Sequence, residues 1–97
     1  MLRITTKAET DRVVLKVEGK LTHPWVREAD ASWRTMLATA DGRAIAVDLC
    51  DVYAIDDAGR ELILRMHVAG VELRAQGCVM GEIVREIIES RHSAIRR

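Results

Sequence analysis

The residues of this chain that could do chemistry gather around one short stretch. In "VDLCDVYAIDDAG", Val47 to Gly59, an apolar run ends in two adjacent carboxylates, Asp56 and Asp57, with Asp48 and Asp51 close by. A helix is predicted to begin near Ala58, and either Asp56 or Asp57 can accept hydrogen bonds from its free N–H groups and gain from the positive end of its dipole. One carboxylate meets that need. The second adds mutual repulsion, which points to its being read by something other than the helix.

The other reactive side chains form no such group. Cys50 and Cys78 lack C-x-x-C spacing and a third or fourth soft ligand, so neither zinc nor a disulfide framework is expected, and both read as small buried hydrophobes. His23, His67 and His92 fall on three separate segments with no i, i+4 pair, so no metal site is expected. No Gly-rich phosphate loop and no Ser in a strand-to-helix elbow is present. Asp48 ends the strand "AIAVD" as the phospho-acceptor of a receiver domain does. The acidic residues after the first strand and the later Thr and Lys of such a site are missing, so Asp48 reads as a brace for the loop that follows. No catalytic residue and no cofactor is implied, and the chain is not expected to be an enzyme.

A chain of 97 residues makes one domain with one core. Lys plus Arg and Asp plus Glu each number 15, so the net charge is zero, without the basic excess of a nucleic-acid binder. With two Trp, one Tyr and no Phe, the core must be aliphatic and stacked-base recognition has little to use. The N-terminal "MLRITTKAETDRVVLKV" has no apolar stretch suited to a signal peptide or a membrane span, and a cytoplasmic location is expected.

Periodicity sets the elements that must position the acidic step. "LRITTKAE" and "RVVLKVEGKL" alternate around Thr10 and Asp11 and read as a hairpin. In "THPWVREADASWRTMLATADG", Thr22 or His23 can cap a helix, Pro24 suits its first turn, and Trp25, Ala29, Trp33, Met36, Leu37 and Ala40 form its apolar stripe. "RAIAVDLC" has no polar residue from Ala44 to Val47, the pattern of a central strand. Leu62, Ile63 and Met66 face inward on the next helix, which Gly70 should stop. "VELRA" alternates as a fourth strand. Val79, Met80, Ile83, Val84, Ile87 and Ile88 then mark a last helix, followed by a basic tail over residues 93–97. The order β-β-α-β-α-β-α predicts an α/β domain, a four-stranded mixed sheet of an N-terminal hairpin and parallel strands backed by three helices.

In order and spacing, "VVLKVEGKLTHPW", "AIAVDLCDVYAIDDAGRELI" and "GVELRAQG" resemble the STAS domain, typified by bacterial anti-sigma factor antagonists, over residues 12–77. The most specific piece is the apolar strand ending in Asp, a short apolar loop and an Asp-Ser-Ser-Gly-like helix start. By this resemblance Asp57 occupies the position of the Ser that a partner kinase phosphorylates, Ala58 that of the second Ser, and Gly59 that of the Gly. Asp57 has no hydroxyl to phosphorylate and holds one fixed negative charge, against about −1.5 to −2 for phosphoserine. It stands either as a permanent imitation of the phosphorylated state or as the residue a different partner prefers, and capping alone is the plain alternative. Arg60 replaces the usual apolar residue after the Gly, and Thr22 a common Asp.

The resemblance implies a regulatory module that binds another protein, an anti-sigma factor or a serine kinase of the histidine-kinase-like ATP-binding type. Two alternatives within the fold are an accessory subunit on the ATPase of a lipid transporter and a small-molecule or nucleotide sensor. The contact surface is expected at Asp56, Asp57, Arg60, Leu64 and His67, with Thr22 and His23 across the same edge. Leu64 and Val68 fall off the inward stripe of their helix and read as apolar contacts.

Overall fold

Strands β1 (Leu2–Ala8) and β2 (Arg12–Leu21) form the hairpin that the alternation predicts, paired from Leu2↔Gly19 to Ala8↔Val13. The computed structural model describes residues 1–95. Helix α1 (Val26–Thr39), strand β3 (Ala44–Ile55), helix α2 (Asp57–Val68), strand β4 (Glu72–Arg74) and helix α3 (Val79–Ile95) follow. The sheet order is β1-β2-β3-β4, with β2, β3 and β4 parallel, so the expected mixed sheet and three helices are present.

The interior is one aliphatic cluster. Leu15 and Val17 of β2 and Val47 and Leu49 of β3 meet Ala29, Trp33 and Met36 of α1, Leu62, Ile63 and Met66 of α2, and Met80, Val84 and Ile87 of α3, all buried. Fully burying such side chains contributes about 1.5–3 kcal/mol each, which is why the helical stripes decide where the helices lie. The indole N–H of buried Trp33 donates to Asp30 Oδ1 at 2.9 Å, and the same carboxylate accepts from Arg34 at 3.0 Å. Two stripe residues do not go inside: Leu37 and Val79 stand at helix ends and are 44% and 82% exposed.

The opposite face of the sheet holds ion pairs. Arg12 on β2 reaches Glu72 on β4 across β3, whose residues in that row are Ala44 and Ala46 and leave room for the guanidinium. Arg74 joins Glu72 at 2.6 Å to Glu9 of the hairpin turn at 3.1 Å, and Lys16 pairs with Asp51 at 3.2 Å. The hydrogen bond from Arg74 holds the Glu9 and Glu72 carboxyls below their usual range. Such solvent-exposed pairs contribute little individually, so they fix register more than they stabilise.

Strand β3 is longer than the apolar run that announced it. It runs through Asp51, Val52, Tyr53 and Ala54 to Ile55, taking in residues read as a loop. It has 12 residues against 10 in β2, and the two extra ones are absorbed at register shifts opposite Lys16–Glu18 and Gly19–Lys20. Each shift breaks the alternation from which a strand is read. At its far end α2 stops as predicted: Gly70 has φ +87°, its N–H donates to His67 O, and the Val71 N–H donates to Met66 O. Helix α3 continues to Ile95, three residues into the stretch read as a tail, because no Gly or Pro stops it there; residues 96–97 of that stretch lie outside the described residues.

Candidate functional site

The parallel pair Leu21↔Ile55 brings the ends of β2 and β3 side by side. The loop through Thr22 and His23 and the start of α2 therefore face each other across one sheet edge, the place where open α/β sheets commonly meet ligands. Asp56 joins them. Its backbone is extended, and its Oδ1 accepts from the Gly59 N–H at 2.9 Å as the N-cap of α2. Its Oδ2 accepts from the His23 N–H at 2.8 Å. Its carbonyl accepts from the Arg60 N–H at 2.9 Å. The His23 N–H and then the Gly59 N–H hold the Asp56 carboxyl below its usual range.

Asp56→Ala is accordingly expected to lower the melting temperature by roughly 5–10 °C at neutral pH. Because the folded-state pKa of Asp56 is depressed, its contribution is complete above the unfolded carboxyl value, about pH 4. It is lost as pH falls through the lower folded value. Melts of both proteins from pH 7 down to pH 2 check this: the gap should close only on the acid side.

Asp57 is the opposite case. It is the first residue of α2, it is exposed, and its side chain makes no hydrogen bond or ion pair among the described residues. The structure thus divides the labour of the two carboxylates, with Asp56 engaged on both oxygens and Asp57 turned to solvent. Ala58 is half-buried and packs on the core cluster, and Gly59 is buried. A Cβ at Gly59 would fall onto the Leu21 carbonyl oxygen and within 2.7 Å of Ile55 Cγ1, so this position admits only glycine at the present spacing of helix and sheet.

Other predicted residues fall differently from expectation. Thr22 contributes its carbonyl, which accepts from the Val26 N–H at 3.1 Å; neither it nor His23 caps α1, whose cap residue Trp25 makes no side-chain cap. Leu64 is not a free apolar contact. It is half-buried and packs against the core cluster. Val68 is 57% exposed, one turn further along the helix. Arg60 is half-buried and makes no ion pair among the described residues, and His67 is half-buried. Tyr53 is 71% exposed on the last part of β3, beyond the first register shift. Asp48 accepts from the Cys50 N–H at 3.0 Å and so braces the strand at that shift.

The cysteines require a correction. Cys50 and Cys78 are not independent buried hydrophobes: they form a disulfide, with Cα atoms 5.5 Å apart, between the outer part of β3 and the residue before α3. Cys50 is exposed and Cys78 half-buried. Their pairing follows from β4 lying beside β3, which places the loop after Arg74 next to Cys50, a proximity that a separation of 28 residues does not announce. Among the described residues, no group of three His, Cys, Asp or Glu could hold a metal ion, and no helix is long and apolar enough to cross a membrane.

The chain folds as a STAS-like domain. No family model and no curated protein matches its sequence, but solved structures match its fold. The anti-sigma factor antagonist SpoIIAA, in its unphosphorylated form, superposes with a TM-score of 0.60 at 24% identity, over 84% of this chain and 80% of that one. An uncharacterized protein with a SpoIIAA-like fold from Shewanella loihica PV-4 gives a TM-score of 0.54 at 18% identity, over 78% of this chain and 67% of that one. The native form of Mglu contains a similar portion, with a TM-score of 0.53 at 26% identity over 73% of this chain; the match spans 23% of Mglu.

Proposed function

We propose that this domain is a regulatory module that binds another protein through the start of α2, in the manner of an anti-sigma factor antagonist, with Asp57 as a constant negative charge. The observation that carries the reading is the division between the two aspartates. Asp56 alone caps the helix with its side chain and ties it to His23, which leaves Asp57 exposed in the first turn with only the weak pull of the helix dipole on its charge. On the same edge lie exposed His23 and half-buried Arg60 and Thr22, a mixture of charged and polar surface suited to a modest protein interface. From Asp56 to Arg60 the chain offers no hydroxyl, so a serine kinase has no acceptor there. Regulation at this edge would then rest on the partner's supply or affinity, and not on phosphorylation of this chain.

Co-purification from cells tests the reading. Tagged wild-type protein should retain a partner, an anti-sigma factor or an ATP-binding serine kinase of that type, and Asp57→Lys should lose it while its melting temperature moves by no more than about 4–8 °C. Retention of the same partner by both proteins would remove Asp57 from the interface. Capture of a transporter ATPase would replace the sigma-factor reading with an accessory role.

A further inference from the structure

The disulfide is unequal in its two halves. Cys50 is exposed on β3, its N–H fixed by Asp48, whereas Cys78 is half-buried with its Sγ 2.9 Å from the Ala75 carbonyl oxygen. The first turn of α3 is seated without help from sulfur. The Gly81 N–H donates to Cys78 O at 2.9 Å, and the Gly81 Cα lies so close to the end of β4 that an added Cβ would stand 2.6 Å from Ala75 O. Cutting the bridge therefore leaves both sulfurs near their present positions, ready to join again.

We propose that Cys50 and Cys78 form a reversible thiol-exchange site for low-molecular-weight thiols and disulfides, in which Cys50 is the sulfur that becomes S-thiolated and Cys78 the thiol that resolves it. An incoming thiolate attacks the accessible Cys50 Sγ. A new S–S bond forms to Cys50, the bond to Cys78 breaks, and its electron pair leaves on Cys78 Sγ as a thiolate. That thiolate, beside the Ala75 carbonyl oxygen, takes up a proton from water. Once protonated, it can donate to Ala75 O. In reverse, the Cys78 thiolate attacks the mixed disulfide at Cys50 and expels the small thiol. A second small thiolate, attacking the mixed disulfide at its own sulfur, releases Cys50 and completes the two-electron reduction of the bridge with formation of the small-molecule disulfide. Exposed disulfides of this kind are the labile ones, in contrast to those sealed in a core.

The test uses the full chain, reduced and freed of reductant, with oxidised glutathione as the probe and intact-mass spectrometry as the readout. Cys78→Ser should gain one glutathione about ten times faster than Cys50→Ser, or faster still, because the exposed Cys50 thiolate reaches the glutathione disulfide more readily than the half-buried Cys78 does. Wild type should pass through an adduct on the Cys50 peptide and end with no adduct and both thiols oxidised. Acid-quenched peptide maps of wild type locate the first adduct without any substitution, so a variant that folds poorly does not blunt the result. Equal or reversed rates, a first adduct on Cys78, or wild type ending with two adducts would overturn the proposal.

Discussion

Gly59→Ala should destabilise the protein by roughly 2 kcal/mol or more, although it replaces the second-worst helix former with the best. Helix propensity alone predicts the opposite sign, a gain of about 1 kcal/mol at a helical position. The structure reverses it because the new methyl would fall onto the Leu21 carbonyl and the Ile55 side chain, and a backbone carbonyl at the end of a paired strand cannot swing away as a flexible side chain can. Relief requires α2 to lift from the sheet, which loosens Leu62 and Ile63, both fully buried, and lengthens the hydrogen bond from Gly59 to Asp56. Urea unfolding of wild type and Gly59→Ala decides the matter by sign: a variant at least as stable as wild type would mean that helix and sheet are not in this contact. Asp57→Ala, next to it but exposed, serves as the control and should change stability little.

Reducing the Cys50–Cys78 bond should have an effect of the same order. The bond closes a loop spanning 28 residues of sequence separation, which contains α2 and β4. The chain-entropy estimate for such a loop is roughly 3.5 kcal/mol of stabilisation. For a domain of this size that corresponds to a fall in melting temperature of well over 10 °C on reduction. Paired melts with and without reductant measure it, and the Cys50→Ser, Cys78→Ser double variant should melt like the reduced protein and ignore reductant. A reduced protein that melts within about 2 °C of the oxidised one would show that the bond adds little to contacts already made.

The sequence announced the parts of this fold whose side chains repeat with a single period. Leu62, Ile63 and Met66 on α2, and Met80, Val84 and Ile87 on α3, are buried where the helical stripe puts them, and the alternation of β1 and β2 gives their hairpin. What it could not announce depends on two segments meeting. Asp56 and Asp57 are identical in type and adjacent, and Asp56 is the structural one through its cap on the Gly59 N–H together with the His23 N–H, which arrives from 33 residues earlier. Leu64 looks free on a helical wheel but packs against the core cluster once α2 is docked. The later half of β3 was hidden by two register shifts that break its alternation, and with it the outward turn of Tyr53. The cysteine pair was hidden because Cys50 and Cys78 become neighbours only once β4 lies against β3.

The most direct test of the account is the affinity of the purified partner for wild type and for Asp57→Lys, measured by titration calorimetry with matched melts to establish that both are folded. A charge reversal at the centre of the contact should weaken binding about ten-fold or more, at least about 1.4 kcal/mol, while Asp57→Glu stays close to wild type. Equal affinities for wild type and Asp57→Lys would contradict the account and place the partner's contact away from the start of α2.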